Sequence, residues 1–409
     1  MNKSDVIVIG GGLAGLMTAN VAATQGKKVT VITYGSGSLP LFSGAFDFFG
    51  RDDDGEFVAS PIKGIENLSE NHPYKKIGVK YIKDAIEFLT KLTAKYNLAY
   101  VGSLEKQIPV VTAAGTLKYS CLVPKSMDAG NLKSANKIFV VAVKGLKDFY
   151  SEMIAENLKK FLNKDIQAVE IDLGFLGGRD ITSLDGAQFL EDSATAQNLV
   201  AQLKNFGIGN DTAFILPPIL GSEGNSVYEK VKSQVGAEII ETTCLPPSPP
   251  GMRLQKVLIQ SLRDGGVKIF ENTQVLRACK EQNKISGVVV QTAVREKIYR
   301  AEKIILATGG FYSGGITMKN FEQPKEVIFD LPVYFPAGEE NWSNKNLFSD
   351  SPQGFSTTGI LIDENLIPAD AKGFENVRVV GNTLGGADFI FERSAGGITL
   401  SSAYKAAMV

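Results

Sequence analysis

The sequence predicts an α/β fold, with a parallel sheet covered by helices and a second α/β domain inserted between two parts of the first. A β-branched run opens the chain and leads through a glycine-rich turn into a helix and another strand. Two further segments, in which a strand ends at glycines, lie near the other end, and the middle repeats strands and helices of its own. This alternation is typical of parallel sheets, because parallel strands need crossover helices.

The first element is a β-α-β unit. Val6 to Ile9 has the uninterrupted apolar character of a strand that is buried on both faces. Leu13 to Ala23 is predicted as the following helix, and Val29 to Thr33 as the second strand. The spacing is that of a nucleotide-binding unit.

Three glycines in the first turn, Gly10, Gly12 and Gly15, have the G-x-G-x-x-G spacing. Gly10 permits the tight turn, Gly12 lets the backbone approach a phosphate, and Gly15 lets the helix press against the strand. The phosphate would bind at the N-terminus of the helix, where N–H groups and the helix dipole favour an anion. The alternative is a glycine turn that only packs a helix on a sheet.

The carboxylate that usually holds the ribose, about 20 residues after such glycines, is missing. Thr33 or Tyr34 stands in its place. Thr33 offers a hydrogen bond but lacks the charge that makes a bidentate carboxylate contact strong. We therefore expect the adenosine end of a dinucleotide to be held less typically, or to be absent.

Composition limits the possible functions. The 409 residues are 44% apolar and 21% charged, which allows two domains with sizeable cores. A net charge of −1, without a basic run, argues against nucleic acid. Cys121, Cys244 and Cys279 lie far apart, so we expect neither disulfides nor a metal site, as in a reducing cytoplasm. No apolar stretch approaches the roughly 20 residues of a membrane span, and we expect no direct membrane insertion.

The middle of the chain predicts a second α/β layer. A helix is expected from about Gly78 to Tyr96, and "KIFVVAVKGLKDFYSEMIAENLKKF" gives a strand, Gly145 and an amphipathic helix. "TAFILPPILG" repeats the passage from strand to loop. We therefore predict an inserted domain over residues 76–249, between two parts of a nucleotide-binding domain at residues 1–75 and 250–409.

The last third is predicted to return to the first sheet. A strand is expected to end near Thr273 to Val275, with a β-hairpin around Asn283 and Lys284. The strand Lys303 to Ala307 then leads into Thr308 and Gly309.

A third motif closes the pattern. The strand Val377 to Val380 ends at Gly381, and Gly396 and Gly397 open a final helix. Three separated glycine motifs of this kind predict a Rossmann-like FAD/NAD(P)-binding flavoprotein fold. The N–H groups at the start of the last helix are expected to face the pyrimidine end of the flavin.

The chain also resembles the family of B subunits of anaerobic glycerol-3-phosphate dehydrogenase over nearly its whole length. The segments that carry the resemblance include "LFSGAFDFF", "NHPYKKIG", "LPPSPPGMRLQ", "ATGGFYSGGI" and "GNTLGGADFI". The resemblance implies a flavin subunit that works with a flavoprotein A subunit to oxidise sn-glycerol 3-phosphate to dihydroxyacetone phosphate. It also implies an iron–sulfur C subunit that passes electrons to menaquinone. The chain would then be cytoplasmic and peripheral on the inner face of the cell membrane, held there by its partner.

The resemblance implies FMN on this subunit and FAD on its partner. FMN is therefore the first prediction, and FAD is the alternative. The glycines of the first turn favour two phosphates, whereas the missing carboxylate argues against a firmly held adenosine.

His72 and Arg253 are the candidate catalytic residues. Oxidation of a secondary alcohol needs a base, and histidine takes up protons near neutral pH; the alternative is that His72 anchors a loop. Arg253, at the start of a helix, can clamp a phosphate, or it can pair with an acidic neighbour. Ser43 and Gly44 are predicted to line the flavin, as are Ser313 to Gly315, unless they form ordinary glycine turns.

Two hypotheses about function follow, with a weaker third. The chain is either a flavin-dependent dehydrogenase subunit or a non-catalytic flavin scaffold or electron-relay subunit of a quinone-reducing complex. A flavin reductase that uses NADH would need a second nucleotide motif, and the segment around Gly145 offers only one of its glycines.

Overall fold

The computed structural model describes residues 3–174, 180–209, 211–281, 284–292, 294–319, 322–346, 351–369 and 373–409. The strands within these ranges are β1 (Lys3–Ile9), β2 (Val29–Ile32), β3 (Tyr100–Gly102), β4 (Ile108–Val111), β5 (Leu117–Ser120), β6 (Leu122–Pro124), β7 (Lys137–Val143), β8 (Asp165–Ile171), β9 (Thr212–Leu216), β10 (Glu238–Glu241), β11 (Lys268–Phe270), β12 (Gln274–Glu281), β13 (Lys284–Gln291), β14 (Glu296–Leu306), β15 (Ile316–Thr317), β16 (Lys325–Glu326) and β17 (Val377–Val379).

The α-helices within the same ranges are α1 (Leu13–Thr24), α2 (Pro61–Glu66), α3 (Pro73–Ile77), α4 (Val79–Lys95), α5 (Ser151–Lys159), α6 (Ser183–Phe189), α7 (Ser193–Lys204), α8 (Ser226–Val235), α9 (Pro249–Asp264) and α10 (Ala395–Met408).

Contacts divide the chain into two compact units. The first comprises Met1–Ser38, Asp47–Leu89 and Leu258–Val409, and the second comprises Leu39–Phe46 and Thr90–Val257. The second unit is thus inserted in the first along the chain. The domain bounds of 1–75, 76–249 and 250–409 stay a prediction.

The sheet of the first unit has the strand order β11-β2-β1-β14-β13-β12, and β17 also pairs with β14. β11, β2, β1, the end of β14 and β17 run parallel, whereas β12, β13 and the start of β14 are antiparallel. The expected Rossmann-like α/β fold is confirmed. Helix α1 is buried along almost its whole length and packs against α10. Such burial explains why α1 has no polar face, with Thr18 and Asn20 as buried polar residues.

One predicted strand is wrong. Instead of a strand that ends near Thr273 to Val275, β11 ends at Phe270 and β12 begins at Gln274. Asn272, with φ of 50°, turns the chain between them. Asparagine tolerates this left-handed conformation better than most residues. The predicted hairpin is present as β12 and β13, but Asn283 lies outside the described residues.

The second unit has a parallel sheet of its own, in the order β10-β9-β7-β8. Every residue of β9 is buried, and the rings of Phe139 and Phe214 stack with their centroids 5.4 Å apart. α5 packs on β7 and β8, and α7 packs against α8. This is the second α/β layer that the middle of the sequence predicts.

Candidate functional site

Two glycines of the first turn are required by the packing of the fold. Gly10 has φ of +118°, and a Cβ atom there would lie 2.2 Å from the carbonyl oxygen of Ala307. A Cβ atom at Gly15 would lie 1.9 Å from the carbonyl oxygen of Gly10. Gly10 therefore lets β1 and β14 meet, and Gly15 lets α1 press against the turn.

Gly12 differs from these two, because the protein itself leaves room for a side chain. Its φ of −79° suits any residue, and an added Cβ atom would meet only the Cα atom of Gly37, at an ordinary 3.8 Å. Gly12 precedes α1, which has no side-chain cap and no acidic residue in its first turn. The first N–H groups of a helix lack acceptors within the helix. This end of α1 therefore fits a bound phosphate.

Thr33 lies beside the glycine turn, at the position that the sequence predicts. A Cβ atom at Gly11 would lie 2.5 Å from Thr33 Oγ1, and this hydroxyl donates its proton to the carbonyl oxygen of Gly35. The hydroxyl can then serve a ligand only as an acceptor. The neighbouring Tyr34 is 72% exposed.

The structure brings the three glycine motifs together. Gly10 and Ala307 join the first motif to the second, as described above. In the third, a Cβ atom at Gly381 would lie 2.8 Å from the Cβ atom of Ala14, in the first turn of α1. The N–H of Gly381 donates to Ser402 Oγ at 3.0 Å, which fixes this turn on α10. All three motifs thus converge near the uncapped end of α1.

The second motif contains a buried polar atom without a partner. The N–H of Gly309 donates to Thr383 Oγ1 at 2.9 Å, but the buried hydroxyl of Thr308 has no hydrogen-bond partner. A Cβ atom at Gly315 would lie 2.7 Å from that hydroxyl. Because buried hydroxyls are normally satisfied, this one fits contact with a ligand.

Gly396 and Gly397 lie in the first turn of α10, as the sequence predicts. The N–H of Gly397 donates to the carbonyl oxygen of Asp47 at 2.7 Å, and a Cβ atom there would lie 2.2 Å from the hydroxyl of Tyr74. Packing within the protein therefore accounts for Gly397. A flavin contact at this helix end stays a prediction.

His72 is buried, and both nitrogens of its ring have partners. Nδ1 accepts the N–H of Tyr74 at 3.1 Å and caps α3, while Nε2 lies 3.1 Å from Oε2 of Glu392. Since Nδ1 is an acceptor, the ring proton belongs on Nε2 and is donated to Glu392. This geometry is that of an anchor, the alternative that the sequence left open for His72.

Glu392 is the residue of this site for which the sequence suggested no role. Its Oε2 also accepts the hydroxyl of Ser394 at 2.9 Å, and its Oε1 accepts the N–H of Asp388 at 3.1 Å. Its carbonyl oxygen accepts the N–H groups of Gly50 and Arg51. In the sequence, the signal that could have identified Glu392 is a short segment with charged residues between two glycine pairs.

Burial shifts the pKa of two groups in the same segment. It raises the pKa of the Asp388 carboxyl, with Glu392 adding to the effect. It lowers the pKa of the Arg393 guanidinium, which also lies near the positive charge of Arg51. Both shifts disfavour the charged form, as expected for groups removed from water.

Arg253 belongs to the second unit and is 2% exposed. Its two terminal nitrogens donate to the two carboxylate oxygens of Glu241, at 2.7 and 2.9 Å, and Nε donates to the carbonyl oxygen of Gly221 at 2.7 Å. The guanidinium thus forms a bidentate pair with a buried acid. Pairing with an acidic residue is the alternative that the sequence left open for Arg253.

Comparison with known proteins agrees with the glycine motifs. Residues 5–398 match the model of the FAD binding domain family. The B subunit of anaerobic glycerol-3-phosphate dehydrogenase from Mannheimia succiniciproducens is 30% identical, over 98% of this chain and 97% of its own. The chain belongs to the B-subunit family of anaerobic glycerol-3-phosphate dehydrogenase. The B subunits of Pectobacterium atrosepticum and Yersinia enterocolitica are 27% and 28% identical, each over 98% of this chain and over 97% and 96% of their own.

Membership of this B-subunit family makes the chain a flavoprotein oxidoreductase subunit. The family match supports FAD most directly and gives no support to FMN as the first choice. Gly12 and the uncapped start of α1 fit a phosphate, which FAD and FMN both carry, so the choice of FAD rests on the family match.

Ser43 and Gly44 of this B-subunit chain lie in the second unit. Ser43 Oγ accepts the N–H of Ala45 at 3.3 Å, and Gly44, with φ of +87°, would place a Cβ atom 2.8 Å from that of Pro250. Local packing accounts for Gly44, so a flavin role for either residue stays a prediction.

Within the described part of the chain, no helix combines the length and hydropathy of a membrane span.

Proposed function

We propose that this chain is the flavin-bearing B subunit of a complex that oxidises sn-glycerol 3-phosphate to dihydroxyacetone phosphate. A flavoprotein A subunit and an iron–sulfur C subunit would complete the complex and pass electrons to menaquinone. The observation that carries the proposal is the convergence of three glycine motifs on the uncapped end of α1, in a chain of the B-subunit family.

The residues of the first unit support flavin binding in distinct ways. Gly12 and the first N–H groups of α1 would hold a phosphate, and Thr308 offers an unsatisfied hydroxyl. A bound flavin supplies the hydride acceptor that alcohol oxidation requires. We propose FAD as this flavin.

His72 and Glu392 have a supporting role in this proposal. Their buried contact joins the start of α3 to the segment that leads into α10. His72 is then a positioning residue, because its ring proton is directed to Glu392. Arg253 likewise holds the second unit together through Glu241.

A second candidate function is an electron-relay or scaffold subunit that holds flavin without oxidising substrate itself. The internal partners of His72 and Arg253 favour it, since they leave neither predicted residue placed to take a proton or clamp a phosphate. Substrate oxidation would then take place on the A subunit.

One experiment separates these functions. Flavin is released from one sample of the purified chain by heat and identified by mass spectrometry. In unheated samples, sn-glycerol 3-phosphate is added anaerobically to the chain alone and to the chain with its A subunit. We expect FAD. Bleaching of the flavin in the chain alone identifies a dehydrogenase. Because the A subunit carries flavin of its own, a relay is identified when this chain's share of the flavin also bleaches, and does so only with the A subunit present. A chain that holds no flavin in either preparation contradicts both functions.

We also propose that the chain is cytoplasmic and peripheral on the inner face of the membrane, through the C subunit. Coexpression tests this location. The chain should sediment with membranes when the C subunit is present and stay in the supernatant without it.

A further inference from the structure

Two half-buried arginines of the first unit, Arg51 and Arg393, lie side by side. The N–H groups of Gly50 and Arg51 donate to the carbonyl oxygen of Glu392, at 2.8 and 3.0 Å. A Cβ atom at Gly50 would lie 3.1 Å from the Cβ atom and 3.4 Å from the Cδ atom of Arg393. The side chain of Arg393 thus runs along the backbone that carries Arg51. Neither guanidinium forms a salt bridge or a hydrogen bond with another described residue.

The charge of Asp47 does not balance the two arginines. Burial lowers the pKa of the Arg393 guanidinium, the positive charge of Arg51 lowers this pKa further, and the negative charge of Asp47 raises it by less. Repulsion between the two guanidiniums therefore exceeds the attraction to Asp47. Asp52, which follows Arg51, uses its carboxylate to accept two backbone N–H groups of its own turn. An anion held between the arginines would relieve their repulsion.

The backbone of Arg393 has a conformation that arginine rarely adopts. Its φ of 54° lies in the left-handed region, where a side chain adds strain that glycine does not have. Hydrogen bonds hold the residue there, since the N–H groups of Arg393 and Ser394 donate to the carbonyl oxygens of Ile390 and Phe389. Strained residues of this kind are concentrated at ligand sites. The strain at Arg393 therefore calls for a function of its side chain.

The two arginines lie beside the end of α10 at which the flavin ring is expected. Arg393 is three residues before Gly396, and the carbonyl oxygen of Asp47 accepts the N–H of Gly397 at 2.7 Å. In sn-glycerol 3-phosphate, only one carbon and one oxygen separate the carbon that is oxidised from the phosphorus. A phosphate group bound by the arginines would therefore keep this carbon close to the expected position of the ring.

We propose that Arg51 and Arg393 together bind the phosphate group of sn-glycerol 3-phosphate. This inference rests on the proposed function, because it requires that the substrate reaches this chain. A guanidinium donates two parallel hydrogen bonds to a phosphate, and two guanidiniums match the two negative charges of a phosphate monoester. Arg253 does not offer such a clamp, since its guanidinium is bound to Glu241. The arginine pair selects a phosphorylated alcohol over free glycerol.

The test measures binding to the full, flavin-loaded chain by calorimetry, with sn-glycerol 3-phosphate, inorganic phosphate and glycerol as the probes. Arg51→Met and Arg393→Met each remove one guanidinium. Arg393→Gly removes the same guanidinium and also relieves the strained backbone. Arg295→Met is the matched control, because Arg295 is exposed and lies between β13 and β14. FAD affinity and melting temperature are measured for the same variants.

We expect the wild type to bind sn-glycerol 3-phosphate and phosphate, but not glycerol. Arg51→Met and Arg393→Met should each weaken the binding of sn-glycerol 3-phosphate at least about tenfold, since each removes charge-assisted hydrogen bonds. Arg295→Met should bind like the wild type. Arg393→Gly should lose the same affinity, while its melting temperature without substrate is equal to that of the wild type or higher. An arginine with only a structural role would not separate affinity from stability in this way.

Wild-type affinity for sn-glycerol 3-phosphate in both Arg51→Met and Arg393→Gly would overturn this inference and leave the proposed function standing. The inference would also be overturned if these variants lost FAD affinity alone, because the arginines would then hold a phosphate of the cofactor. A wild-type chain that holds flavin but binds neither anion overturns the inference and leaves the electron-relay function. A wild-type chain that holds no flavin overturns both the inference and the proposed function.

Discussion

His72 and Glu392 lie 320 positions apart in the chain, yet His72 Nε2 and Glu392 Oε2 are 3.1 Å apart and buried. Because Tyr74 donates its N–H to Nδ1, the imidazole proton is directed at the carboxylate. The contact holds the start of α3 against the segment that precedes α10. It therefore positions two segments of the first unit.

Replacement of His72 tests this positioning role. His72→Ala removes the cap of α3, worth about 1 kcal/mol, and leaves Glu392 with fewer donors, worth about 1–3 kcal/mol. We expect the free energy of unfolding to fall by about 2–4 kcal/mol, measured by urea denaturation.

His72→Asn is the informative companion, because asparagine is a good helix cap but is too short to reach Glu392 in the same way. We expect a smaller loss of stability. The pH dependence of substrate-driven flavin reduction, measured with the A subunit, should not change. Loss of the acidic limb of that profile in His72→Asn would instead make His72 the general base, since a base stops working when it is protonated.

Gly12→Ala and Gly15→Ala should separate ligand binding from packing. An alanine at position 12 meets only Gly37, at 3.8 Å, so stability should change by less than about 1 kcal/mol. FAD affinity should fall at least about tenfold, because the methyl group blocks close approach of a phosphate. An unchanged FAD affinity would show that Gly12 does not lie against the phosphate.

Gly15→Ala should have the opposite effect, a loss of stability through packing rather than a direct loss of phosphate binding. Its Cβ atom would lie 1.9 Å from the carbonyl oxygen of Gly10, so α1 must shift. We expect a loss of about 1–3 kcal/mol in the free energy of unfolding, measured in the apoprotein. Equal stability of the two variants would show that α1 does not pack as described.

Cys244 should react slowly with alkylating agents. Burial raises the pKa of its thiol to about 11. The neutral thiol therefore predominates up to about pH 10. Because the thiolate is the form that reacts, the labelling rate should keep rising until the pH exceeds 11. At pH 8, labelling should be at least about a hundredfold slower than in urea, where a free thiol titrates near 8.5. Mass spectrometry of the Cys244 peptide measures both rates. Equal rates in the two states would show that this thiol is not buried.

The sequence predicts the parts of the site that depend on local spacing. The glycine turn, α1 and the strands beside it are all encoded within about 30 residues, as expected for a βαβ unit. The contact of His72 with Glu392 was not predictable, since nothing local links positions so far apart.

Arg253 allows a last test, between a structural and a substrate-binding role. Arg253→Lys cannot keep the bidentate contact with Glu241, and Arg253→Met leaves that carboxylate buried without its cation. We expect the free energy of unfolding to fall by about 3–5 kcal/mol in Arg253→Met, and by less in Arg253→Lys.

Arg263→Met is the matched control, because Arg263 is 62% exposed and its pairing with Glu271, at 3.9 Å, should be worth less than about 1 kcal/mol. Steady-state kinetics of the complex with the A subunit give the functional measurement. We expect Arg253→Lys to keep the KM for sn-glycerol 3-phosphate while its melting temperature falls. A KM that rises tenfold or more at unchanged melting temperature would contradict the buried pair and identify Arg253 as the phosphate clamp.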